Sequence, residues 1–120
     1  MGSRYDNAVA GGLVALAVGA LGCANAAAIE YKDIAGKWCT SGGTEQFDRK
    51  NLIAIPSGTN DRRVYPIERF DFGDKRVTVV WKDTKKNETY TTDFAEFSPD
   101  GRRMVQLPNE RGPRREFHRC

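Results

Sequence analysis

From Arg76 to Lys82 the chain reads RVTVVWK, with Val77, Val79 and Trp81 alternating against Arg76, Thr78, Val80 and Lys82. A period of two puts the first set on one face of a strand and the second on the other. Thr89–Phe97 (TYTTDFAEF) repeats the pattern, with Tyr90, Thr92 and Phe94 on one side. Phe97 falls out of phase, which predicts a bulge near Ala95. Asn51–Pro56, Val64–Phe72, Arg102–Leu107 and Arg114–Cys120 also read as strands. Pro66 interrupts the second of these and suits an edge or a bulge, because it lacks the N–H that a ladder needs. Turn residues punctuate the strands at Ser41–Gly43, Asp48–Asn51, Ser57–Asp61, Gly73-Asp74, Asp83–Asn87, Ser98–Gly101 and Pro108–Pro113. No helical period and no linker intervene. The pattern predicts an all-β domain, a small antiparallel up-and-down barrel of about seven or eight strands. Closure into a barrel removes the two exposed edges that an open sheet would carry.

The N-terminal stretch follows a different rule. Between Asp6 and Glu30 no residue is charged, and Ala8–Leu21 is apolar over the length of a signal-peptide core. Ala24-Asn25-Ala26 and Ala26-Ala27-Ala28 then offer small-residue cleavage sites. Residues 1–28 are therefore read as a signal peptide and 29–120 as a single barrel domain, exported to the periplasm or secreted. A retained anchor is the rival reading, but Ala8–Ala28 holds nine Ala and four Gly against six Leu or Val. That is a weak apolar span. Ala20–Cys23 (ALGC) is similar to a bacterial lipoprotein signal, which would put a lipid on Cys23 and supply the membrane attachment. The alternative is an inert cysteine discarded with the leader.

Two cysteines remain beyond the leader, Cys39 near the first strand and Cys120 at the last position. In an oxidising compartment an even pair reads as a disulfide. A metal site would have to combine Cys39, His118 and Cys120 and still lacks a fourth ligand at a familiar zinc spacing. A catalytic thiol would depend on His118, the single histidine of the chain.

The leader holds one Arg and one Asp, so the net charge of +3 belongs to the rest of the chain. Arg102–Cys120 carries six Arg and two Glu, and its arginines (Arg102, Arg103, Arg111 and Arg114 among them) form a candidate basic surface. The competing reading is a pair of strands with solvated Arg on their outer faces. Arg114, Arg115, Phe117 and Arg119 interleave charge with an aromatic, as oligonucleotide-binding strands do, but export and the missing RNA-binding signatures exclude a nucleic-acid partner. Other short motifs carry little. FSPDGR (Phe97–Arg102) occurs once and has no propeller period. Asp71-Phe72-Gly73 stands in a chain too short for a kinase. Asn87-Glu88-Thr89 is a glycosylation sequon on a loop. Asp71 with Asp74, and Asp93 with Glu96, read as solvated carboxylates rather than an acid–base dyad. No catalytic constellation, cofactor motif or metal set is expected.

Gly36-Lys37-Trp38, at the start of the first strand, resembles the G-x-W element of lipocalins and related calycin barrels, which avidins and a family of small bacterial metalloprotease inhibitors share. The chain as a whole resembles short exported bacterial proteins of unassigned function. The resemblance implies that Gly36 and Trp38 pack at the closed end of the barrel beneath an Arg of the last strand, Arg115 or Arg119. An eight-stranded barrel either fills its interior or holds one small ligand. Trp38, Trp81, Phe70, Phe72, Phe94 and Phe117 would fill a short one, so little free cavity is expected. The leading expectation is a non-enzymatic exported binding protein that acts through its surface on an envelope or secreted protein, such as a protease or other hydrolase that it inhibits. The alternative is a lipocalin-like carrier of a small apolar ligand.

Overall fold

The structure, a computed structural model, describes residues 28–120. The signal-peptide reading, save for Ala28, and the lipidation reading of Cys23 lie outside the described residues. Among the described residues no helix is long and apolar enough to cross a membrane. One helical turn, α1 (Tyr31–Ile34), precedes eight strands: β1 (Gly36–Thr40), β2 (Gly43–Phe47), β3 (Asn51–Pro56), β4 (Arg63–Phe72), β5 (Arg76–Asp83), β6 (Glu88–Ala95), β7 (Arg103–Gln106) and β8 (Arg115–Arg119). Each pairs antiparallel with its sequence neighbour, and β8 pairs with β1 to close the barrel. The closing seam is short, with His118 opposite Cys39 and Arg119 opposite Trp38. Cys39 and Cys120 are joined by a disulfide beside it, with Cα atoms 5.1 Å apart.

The alternation along β5 decides the inside of the barrel. Val77, Val79 and Trp81 are buried, and so are Thr92 and Phe94 on β6. Antiparallel partners share a face, so Phe94 opposite Val77 and Thr92 opposite Val79 continue the same inward layer. Phe47, Phe94 and Phe117 meet edge to face, with ring centroids 5.3 and 5.8 Å apart. This trio fills the middle of the barrel together with Met104 and Leu52. Trp38 closes one end, fully buried, and its indole Nε1 donates to the Ile34 carbonyl at 2.8 Å. A buried indole N–H without that acceptor would be costly, so α1 is the element that lets Trp38 sit there.

The bulge expected beside Pro66 is present and the one expected near Ala95 is not. The strand pattern is rephased at β4 by a bulge between Ile67 and Arg69, one residue after Pro66. The extra residue moves the phase shared with Val79 and Val77 from Tyr65 and Ile67 to Phe70 and Phe72. Phe70 packs against the core, but Phe72, expected to help fill the barrel, stands 41 % exposed near the end of β4, stacked on Phe70. The expected bulge near Ala95 is absent. β6 ends at Ala95, Glu96 turns with φ of 54°, and that turn accounts for the phase of Phe97. β2 carries the polar sequence GTEQF and was not evident as a strand from its pattern. Gly43 is what lets it begin. Its φ is 132°, and a Cβ there would lie 2.1 Å from the Ile55 carbonyl oxygen.

Candidate functional site

The two ends of the barrel differ in chemistry. At the closed end the Arg119 guanidinium lies 3.8 Å from the centroid of the Trp38 ring. The same group donates to the carbonyls of Ala35 (2.6 Å), Asp33 (3.1 Å) and Gly101 (3.3 Å). Arg119 therefore ties β8 to α1 and to the β6–β7 turn while it covers the indole face. Gly36 leaves room for it: φ there is 97°, and an added Cβ would meet Arg119 Nη1 at 3.2 Å. Of the two arginines considered for this place, Arg119 takes it and Arg115 does not.

Arg115 belongs to the opposite end. On β8 it shares the phase of buried Phe117, and it faces Gln106, which shares the phase of buried Met104. Both point inward at the open mouth. So does Glu45, which stands opposite Trp38 on one side and Ala54 on the other. These side chains line a cavity of about 180 Å³, floored by Phe47, Val79 and Phe94. The Glu45 side chain is only 17 % exposed, and its Oε2 lies 3.8 Å from Arg115 Nη1. That distance allows attraction but is too long for a hydrogen bond. Burial pushes the Glu45 pKa above the ordinary glutamate value, and the positive charge of Arg115 offsets part of the rise. An aromatic ladder, Tyr65–Trp81–Tyr90, forms the wall, with both centroid spacings at 4.9 Å. Trp81 Nε1 donates to Thr92 Oγ1 at 3.1 Å. Arg111, from the long β7–β8 connection, stacks at the lip with its guanidinium 4.1 Å from the Tyr90 ring and 5.3 Å from Trp81.

The basic segment is dispersed by the fold. Arg111 stands at the mouth. Arg114 pairs with Glu116 (2.9 Å) and Glu96 (3.1 Å). Arg102 and Arg103 lie at the closed end, where their backbone N–H groups donate to Ser98 Oγ. With Arg115 and Arg119 turned inward, the six arginines do not make one surface patch. A different group of cations gathers on the mouth rim. An open basin of about 590 Å³ there is bordered by Arg62, Arg63, Lys85, Lys86 and Arg111, against two carboxylates, Asp61 and Asp83. Arg63 is neutralised by Asp61 at 2.8 Å, whereas Arg62, Lys85 and Lys86 form no ion pair among the described residues.

The remaining chemistry candidates are separated or occupied. Both Cys39 and Cys120 are in the disulfide, so neither is a thiolate. His118 is exposed on the outer face of β8. Nearby Ser98 Oγ already donates to Asp100 Oδ1 at 2.6 Å. Asp93 accepts from Thr78 Oγ1 and pairs with Arg76 rather than facing Glu96 as a dyad. Glu45 carries no sequence signal of its own, because β2 has almost no apolar alternation around it. Counting back by two from apolar Phe47 is the one signal that places it inside. Comparison with protein-family models, with curated proteins and with solved structures finds no match.

Proposed function

We propose that this chain is an exported, non-enzymatic β-barrel that acts through its surface on an envelope or secreted protein, as an inhibitor of a hydrolase such as a protease. The observation that carries the reading is how the interior is used. Trp38, Phe47, Phe94 and Phe117 fill the barrel and leave about 180 Å³ at the mouth. Pockets for drug-sized ligands begin near roughly 300 Å³, which weighs against a carrier of an apolar cargo. The loops of the open end, by contrast, hold Arg62, Lys85 and Lys86 out on a rigid frame without intramolecular partners among the described residues. Loops presented by a rigid scaffold are where binding residues concentrate, and unpaired cations favour a partner with an acidic face. The disulfide is compatible with an oxidising, exported location.

The test is capture of proteins from envelope extract on the immobilised chain, repeated with R62E/K85E/K86E. The reading expects one partner held in stoichiometric amount, weakened by salt, released by the charge reversal, and inhibited when it is a hydrolase. Capture that survives the charge reversal, or a partner that remains fully active when bound, overturns it. Mass spectrometry of the mature N-terminus tests export separately. A start near Ala28 supports a cleaved leader, and a lipid on Cys23 would make the protein membrane-anchored.

A further inference from the structure

The mouth cavity contains an arrangement that protein–protein contact at the rim does not use. Glu45 and Arg115 both point inward, both stand above an apolar floor, and they fall short of each other at 3.8 Å. Among the described residues neither side chain makes a hydrogen bond, and Gln106 and Asn109 line the same space. Arg111 adds a second guanidinium at the lip, stacked on Tyr90. Glu45 is the buried charge of the three, its side chain 17 % exposed against 40 % for Arg115, and a buried charge without hydrogen-bonded partners costs several kcal/mol. The site therefore holds one carboxylate and two guanidiniums, each with donor or acceptor capacity left over.

The chemistry of the occupant follows by elimination. A purely apolar ligand would strip water from both charges and give nothing in return. A simple cation would satisfy Glu45 but would face Arg111 and Arg115. A simple anion would satisfy the arginines but would sit against the Glu45 carboxylate. A molecule with an ammonium for Glu45 and a carboxylate for the two arginines meets every group, the guanidiniums offering the planar fork that carboxylates fit. Phe47 and Phe94 on the floor leave room for a short apolar substituent. The volume of about 180 Å³ is that of roughly six waters, enough for a small amino acid and too little for a large one. We propose that the mouth of the barrel is a binding site for a free zwitterion, an α-amino acid with a short apolar side chain. The ligand lies inside the lip, so the proposal stands independently of a protein partner on the loops outside.

The test is isothermal titration of the full chain with L-valine, N-acetyl-L-valine, which lacks the ammonium, and isobutylamine, which lacks the carboxylate. Valine is expected to bind saturably at one site, and each analogue at least about tenfold more weakly, the factor that corresponds to losing one charged hydrogen bond. E45Q and R115Q should each weaken valine binding by a similar factor, with the fold checked by circular dichroism. The comparison of the three ligands on the unaltered chain needs no variant to fold. Absence of saturable valine binding at millimolar concentrations overturns the proposal. So does isobutylamine or N-acetyl-L-valine binding as tightly as valine, or E45Q binding valine unchanged.

Discussion

Breaking the Cys39–Cys120 bond, by reduction or in C39S/C120S, should destabilise the barrel about as much as truncating one of its fully buried aromatic side chains. The bridge spans 81 residues, which is nearly the whole domain. In the chain-entropy model a loop of that size raises the free energy of the unfolded state by roughly 4.5 kcal/mol. The domain holds 93 described residues, for which net stability is roughly 5–15 kcal/mol. The loss is therefore about 30 % of the total or more, equivalent to a fall in Tm of roughly 20–35 °C for a domain of this size. The location sharpens the effect, since β8 is held to β1 by only two register positions beside the bridge. Urea unfolding followed by tryptophan fluorescence reads both ends of the barrel, through Trp38 at the closed end and Trp81 at the mouth. The m-value should also rise, because an unbridged denatured chain exposes more surface. A reduced protein within about 1 kcal/mol of the oxidised one would refute the entropic argument. Peptide mapping that finds Cys39 or Cys120 as free thiols in the unreduced protein would refute the bond itself.

The closed end, β2 and the mouth each make a prediction of their own. Arg119→Met removes three charge-assisted contacts to carbonyls and the cover over Trp38. It should cost about 2–4 kcal/mol, and Arg119→Lys should recover less than half, because an ammonium lacks the planar fork. Urea midpoints for the two variants check this, and equal stabilities would show that charge alone matters. Gly43→Ala forces a Cβ against the Ile55 carbonyl at a φ that L-residues avoid. It should destabilise by about 2 kcal/mol or more, read as a lowered Tm, and a neutral result would mean that β2 begins elsewhere. Glu45 gives a pH dependence. Its raised pKa means that the native state keeps a proton the unfolded chain has already lost. Stability is then full below the ordinary glutamate value and declines as pH rises through the higher native one. Glu45→Gln should abolish that decline and exceed the wild type in stability at neutral pH while matching it in acid. Parallel pH–stability curves for the two proteins would contradict the burial of the carboxylate.

Local alternation was sufficient to identify the strands that bury large side chains. Val77, Val79 and Trp81, and Thr92 with Phe94, could be assigned to one face because the pleat alone sets which residues share a side. The same reasoning made a barrel the economical closure of so many short strands, and two cysteines at the extremes of the domain made a bridge across it expected. β2 escaped because GTEQF has one apolar residue, Phe47, and its inward neighbour Glu45 is charged. A polar residue on the inner face gives no alternation to detect. Register was equally hidden. Whether Arg115 or Arg119 lies on Trp38 depends on how β8 slides against β1, and a shift of four residues would put Arg115 there while keeping every side chain on the same face. The dispersal of the arginine-rich segment has the same origin: neighbours in sequence alternate across a barrel wall and climb from one end to the other. Local pattern therefore reaches the strands that alternate and the apolar face of each, but not β2. Only the closed sheet decided that Glu45, Arg111 and Arg115 meet at the mouth, because those contacts join β2, the β7–β8 connection and β8, and no local interaction relates them.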